Sequence, residues 1–242
     1  MPGIRHIIQF LLDNMNILFI GPGNNPLRLG TYFCSKARSD GHNLKLFSHT
    51  SNPNQVDADD HCYASFSDHE EVIRKFDKLI NGWDTIDIVF YNSTGGWYPG
   101  SPEHYTSDTM VNTDQWHAGL DVHCVVPHIV TCRSLKYMNE MSKTIFMTSS
   151  ASYLINRDNY LDLAGYFGLK GAQNQLMRSF AEFNDKKSTF VTFAPHIPYA
   201  ESDELSKKIM NSIYNKTFNL TKNDNGKIIQ FYPPEGTPHY HE

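Results

Sequence analysis

Residues 16–30 read Asn16-Ile17-Leu18-Phe19-Ile20-Gly21-Pro22-Gly23-Asn24-Asn25-Pro26-Leu27-Arg28-Leu29-Gly30. A short apolar run that ends directly in glycine has the length and flanks of a buried parallel strand. A loop of Gly, Asn and Pro follows, and residues 30–40 then read as a helix stopped by Gly41. A strand that turns through glycines into a helix N-terminus presents backbone N–H groups to a phosphate, and missing Cβ atoms allow close approach. The loop does not spell G-x-G-x-x-G, and the span from Gly21 to Gly30 is long. On these residues alone an ordinary strand–helix connection and a phosphate cradle are both open.

The rest of the chain repeats the unit. Leu44 to Phe47 gives a second strand, and Tyr63 to Phe66 a weak third. Asp68 has the chemistry of an N-cap, with Glu70 and Glu71 in a first turn where the helix dipole favours anions. Val72, Ile73, Phe76, Leu79 and Ile80 make the apolar stripe of that helix. Residues 86–91 form a fourth strand, 114–139 a long helix, 144–147 a fifth strand, 160–183 a second long helix, and 189–194 and 227–231 the last strands. Alternation of this kind predicts one α/β domain, a doubly wound parallel sheet of about seven strands with helices on both faces. Ligands of such sheets bind beyond the carboxyl ends of the strands. Gly21, Ser48, Asn92, Ser149, Ser150 and Pro195 fall at those ends.

Composition narrows the function. In 242 residues, 40% are hydrophobic and 19% charged, as in ordinary globular chains. A net charge of −5 and the lack of any Lys/Arg run exclude a nucleic-acid footprint. Cys34, Cys62, Cys124 and Cys132 form no C-x-x-C pair, and the twelve histidines show no metal-ligand spacing, so free thiols in a reducing, cytoplasmic setting and no metal are expected. His239 and His241 are expected to be solvated. The Asn92, Asn215 and Asn219 sequons are then incidental. Residues 1–14 contain an apolar run too short to cross a bilayer and read as a peripheral extension.

Tyr166 and Lys170 carry the chemistry. A phenol is protonated near neutral pH, with a reference pKa near 10. A lysine four residues on lies on the same helix face, and its ammonium favours the phenolate. The tyrosine can then exchange a proton with a carbonyl or hydroxyl oxygen. Spacing alone does not decide this, because Tyr32 and Lys36 repeat it in the first helix. Position does: only Tyr166 opens the helix after the strand that ends in Thr148-Ser149-Ser150, whose hydroxyls can bond the same oxygen.

Taken in order, the Gly-rich first turn, Asn92-Ser93-Thr94-Gly95, Ser149-Ser150, Tyr166/Lys170 with Gly171-Ala172, and Pro195 resemble the short-chain dehydrogenase/reductase superfamily over about residues 15–232. The resemblance implies a single Rossmann-type NAD(P)-binding domain over 15–242. It implies catalysis by Ser150, Tyr166 and Lys170, and a cofactor site lined by Gly21, Gly23, Asn25, Gly30, Asn92, Gly95, Lys170 and Pro195. It also implies a homodimer or homotetramer through the two long helices. The sequence departs from the pattern in four places. The glycine loop is about three residues longer, and its Asn24-Asn25 is closer to the loops of enoyl reductases. Ser150 and Tyr166 are 16 apart instead of about 13, placing an insertion around 156–160. Pro195-His196 replaces Pro-Gly. His123 stands where the long central helix usually offers an asparagine to a proton relay, so it reads either as a core histidine or as the relay itself.

The second strand closes on Ser48-His49-Thr50 in place of the carboxylate that would bond a ribose diol, and Arg28 could pair with a 2′-phosphate. NADP is therefore expected over NAD, although Arg28 also reads as a surface charge. Trp97, Tyr98, Tyr153 and Tyr160 are expected to wall a small-molecule pocket, with the polar stretch 199–225 as its lid. The function expected is NAD(P)-dependent interconversion of a carbonyl and a hydroxyl. Enoyl reduction and a non-catalytic dinucleotide sensor or scaffold are the alternatives. Neither nucleic acid nor a membrane is an expected partner.

Overall fold

The computed structural model describes residues 14–23, 29–49, 56–93, 113–149, 164–195, 203–232 and 237–241. The strands are β1 (Asn16–Ile20), β2 (Asn43–Ser48), β3 (Asp60–Tyr63), β4 (Ile88–Tyr91), β5 (Lys143–Met147), β6 (Thr189–Pro195), β7 (Ile228–Tyr232) and β8 (Thr237–His241). They form one sheet in the order β3-β2-β1-β4-β5-β6-β7-β8. The first seven are parallel, and β8 returns antiparallel along β7. The α/β, doubly wound architecture is the one the strand–helix alternation predicts.

Why the strands are continuous apolar runs is plain from the two cores. Side chains of period two divide each strand between the faces. Phe19, Leu46, Phe90, Ile145, Phe193 and Phe231 face α1 (Leu29–Ser39) and α6 (Asp203–Phe218). Leu18, Phe47, Val89, Tyr91, Phe146 and Phe190 face α2 (His69–Ile80), α4 (Val126–Ser134) and α5 (Ala164–Phe183). Both faces are covered, so no position along β1, β4 or β5 has to be polar.

Three departures have physical reasons. β3 sits at Asp60–Tyr63, three residues before the expected Tyr63 to Phe66. Its register follows β2, with Lys45 opposite Asp60 and Ser48 opposite Tyr63, and as a half-exposed strand it has no need of an apolar run. β8 escaped prediction because Pro238 and two histidines give no strand signal; beside β7 it pairs Phe231 with Pro238, Gln230 with His239 and Ile228 with His241. Residues 114–139 are not one α-helix. α3 (Thr113–Leu120) passes into a π turn (Asp121–Val125), then α4 and a 3₁₀ turn at Leu135–Tyr137.

Pro127 explains the π turn. Val126 donates its N–H to the Asp121 carbonyl, five residues back. In that register Pro127 would donate to Val122, but proline has no N–H. The buried Tyr91 hydroxyl takes its place, donating to the Val122 carbonyl at 2.7 Å. Asp68 caps α2 as expected, accepting from the Glu71 N–H at 2.9 Å. Among the described residues no helix is long and apolar enough to cross a membrane.

Candidate active site at the sheet switch point

Strand order reverses between β1 and β4, the position at which open α/β sheets leave a crevice above the strand ends. Gly21 leaves β1 there with φ +75°, a left-handed conformation that costs a side-chain-bearing residue energy. A Cβ on Gly21 would also stand 2.6 Å from Ser93 Cα. The Asn92 amide donates to the Gly21 carbonyl at 2.9 Å, fastening the end of β4 to the start of the loop. Gly30, in the first turn of α1, is equally constrained, because its Cβ would lie 2.7 Å from the Pro22 carbonyl carbon. The long loop is therefore pinned at both ends by glycines, while Gly23 has φ +72° and open space around it. Asn25 and Arg28 lie outside the described residues.

At the end of β2, Ser48 is buried and its Oγ stands 3.2 Å from His61 Nε2. His61, from β3, was missed because the strand itself was misplaced. Burial holds its imidazole below the ordinary histidine range, opposed by Asp60. His49 packs edge-on against Phe66 at 5.4 Å, and burial lowers its basicity as well. Among the described residues no carboxylate closes β2.

Tyr166 and Lys170 come together at the carboxyl end of β5. Lys170 is fully buried and donates from Nζ to the Met147 carbonyl at 2.8 Å and to Gln173 Oε1 at 3.1 Å. The same amine lies 5.7 Å from the centre of the half-buried Tyr166 ring, within cation–π range. Burial, with no carboxylate partner among the described residues, brings Lys170 down to about 7, with Cys124 acting in the opposite sense. Both charge states are then present near neutral pH, which suits a group that passes protons.

The π turn puts His123 against this pair. Its ring is fully buried, meets the Tyr166 ring edge-on at 5.9 Å, and neither nitrogen has a hydrogen-bond partner among the described residues. Burial, then the Lys170 charge, push it down to about 2, so the imidazole is neutral at any working pH. Of the two sequence readings, the ring is a core residue in its burial, and among the described residues it lacks the hydrogen bonds that a satisfied core histidine would have. Thr148 and Ser149 follow β5, whose last residue, Met147, accepts from Lys170, and Pro195 ends β6. Ser150, Gly95, Trp97, Tyr98, Tyr153 and Tyr160 lie outside the described residues, as do the Asn156–Tyr160 insertion and His196. Gln173 was the residue the sequence reading passed over. Its signal was a second polar side chain on the helix stripe Tyr166, Leu169, Lys170, Gln173, Met177, which is buried from Leu169 onward.

No protein-family model matches the chain, and no curated protein matches it. Solved structures do. A putative short chain dehydrogenase from Escherichia coli complexed with NADPH aligns with a TM-score of 0.72 at 14% identity, over 92% of this chain and 98% of that one. A short chain dehydrogenase from Burkholderia cenocepacia in complex with NADP aligns at 0.69 and 14% identity, over 90% and 96%. A short-chain dehydrogenase/reductase from Brucella melitensis aligns at 0.68 and 18% identity, over 90% and 94%. At such identities the likeness is one of fold. The chain has the short-chain dehydrogenase/reductase fold that the order of its motifs implied.

Proposed function

We propose that the protein is a divergent short-chain dehydrogenase/reductase, an NAD(P)-dependent oxidoreductase that interconverts a carbonyl and a hydroxyl on a small molecule. The observation that carries this is the Tyr166/Lys170 pair at the carboxyl end of β5, with the lysine amine buried beneath the tyrosine ring. Gly21, Gly30 and Asn92 would hold the pyrophosphate side of a dinucleotide, Ser48 its ribose edge, and Lys170 the ribose nearer the reacting centre. Gly23, Asn25, Arg28, His49, Gly95 and Pro195 complete the proposed lining. NADP is preferred to NAD, because Ser48 leaves no carboxylate to repel a 2′-phosphate and the E. coli and B. cenocepacia structures carry that nucleotide.

When bound, the nicotinamide supplies or accepts the hydride. The protein's own part is proton handling. Tyr166 gives its phenolic proton to the substrate oxygen, or takes one from it in the reverse direction, with Ser150 as second donor. Lys170 recharges the tyrosine, and its depressed basicity lets it release as well as hold a proton near neutral pH. His123 is neutral and desolvated. As a proton relay it could work only by changing tautomer; as a wall it shields the pair from water.

Of the stretch 199–225 proposed as a lid, Ile209, Met210, Ile213, Tyr214 and Leu220 are anchored in the core. A homodimer or homotetramer through the central helices belongs to the same proposal.

The test is a pair of variants. Tyr166→Phe is expected to lower turnover by roughly 10²–10⁴-fold with NADPH affinity within about twofold, and Lys170→Ala to damage both. A screen of carbonyl against enoyl substrates separates the two reductase chemistries. Tight NADPH binding with no turnover on either class, unchanged in Tyr166→Phe, would establish a dinucleotide sensor instead.

A further inference from the structure

We infer that Gln173 is a positioning residue for Lys170, its side-chain amide supplying from the lysine's own helix the contact expected from the central helix. Position 123 carries an imidazole that makes no hydrogen bond to the amine. Gln173 is fully buried, one turn beyond Lys170 and two beyond Tyr166, and its Oε1 accepts from Lys170 Nζ at 3.1 Å. Its Nε2 has no partner among the described residues. A buried amide left half-satisfied costs stability and calls for a reason.

The reason lies in what surrounds the amine. The titratable groups facing it are His123 and Cys124 from the π turn and Tyr166 from its own helix. Neither His123 nor Cys124 carries a negative charge near neutral pH, since burial holds the imidazole neutral and the thiol protonated. No described carboxylate forms an ion pair with Lys170. Among the described residues the amine's hydrogen-bond acceptors are two neutral oxygens, the Met147 carbonyl and Gln173 Oε1. The carbonyl is fixed by β5, so the glutamine is the part that sets where Nζ points and how readily it keeps its proton. A leucine or methionine at 173 would pack equally well and leave the ammonium one acceptor short.

Through turnover the inference rests on the oxidoreductase reading; through the lysine's own titration it does not. The experiment follows the side-chain NMR signals of Lys170 in the full chain labelled with ¹³C-lysine, assigned by their loss in Lys170→Met. Gln173→Met, which keeps the shape, is expected to lower the titration midpoint by roughly one to two pH units. Gln173→Glu is expected to raise it above that of the unaltered protein. Where the protein turns over, Gln173→Met should move the pH profile of kcat by the same amount while KM for the carbonyl substrate changes less than about twofold. A Gln173→Met midpoint equal to the original, or a Gln173→Glu midpoint at or below it, overturns the assignment. Failure to bind NADPH would sink the oxidoreductase reading while the lysine titration still judged Gln173.

Discussion

His123 makes the stability of this protein depend on pH in a way that can be worked out beforehand. In the unfolded chain its imidazole titrates at about 6.5, and in the fold at about 2. Between those values the unfolded state binds a proton that the folded state refuses, so acidification favours unfolding. Above pH 6.5 both states are neutral and the contribution is flat. At pH 5 the unfolded state gains about 2 kcal/mol from this one group, one and a half units at 1.36 kcal/mol each. In His123→Leu the side chain neither titrates nor offers the neighbouring amine an acceptor, and that loss should vanish. Lys170, depressed to about 7 from 10.5, adds its own slope near and above neutrality. It does so in both proteins and cancels in the difference. Urea melts at pH 8, 7, 6 and 5 and constant ionic strength give the comparison. A uniform offset between the proteins reports packing; the pH-dependent part reports the histidine. From pH 8 to pH 5 the unaltered protein should lose about 2 kcal/mol more than the variant, or roughly 4–8 °C in Tm for a domain of this length. Parallel curves would mean that His123 takes up a proton in the fold as readily as in the unfolded chain, and the description of its surroundings would be wrong.

Other expectations follow from single contacts. Tyr91→Phe strands the Val122 carbonyl in the core and should cost about 1–3 kcal/mol in chemical denaturation. Gly21→Ala forces a Cβ onto Ser93 at a positive φ, so the folded protein should lose NADPH binding in calorimetry at least tenfold, against little effect for Gly82→Ala on a remote turn with equal φ cost and open space. Ser48→Asp places a carboxylate at the end of β2 and should shift the NADPH/NADH affinity ratio toward NADH by tenfold or more.

The fold was largely legible because the sheet is covered on both faces. Strands such as Ile88-Val89-Phe90-Tyr91 and Thr189 to Ala194 could be largely apolar, and a run of that length between glycines and helices leaves few alternatives. The Asp68 cap was legible for a local reason, one side chain reaching one N–H three residues on. What stayed hidden depended on partners far along the chain. β3 took its register from β2, and β8 was stabilised by pairing, not by its own residues. The π turn required knowing that a hydroxyl at position 91 meets a carbonyl at position 122. In the candidate site, Tyr166 and Lys170 were visible as a helical pair. The depth of Lys170, and the amide that holds it, came from the packing of α5 on β5 and the π turn.

Proline at 127 has a lasting consequence for how this chain can change. By withholding an N–H it ties a strand residue, Tyr91, to a helical turn 31 positions away. Descendants that lose the ring at 127 would give the Val122 carbonyl a backbone donor and leave the phenol redundant. Those that lose the phenol first would carry an orphaned carbonyl in the core. The two sites are therefore expected to drift as a couple, with the proline the safer one to surrender first.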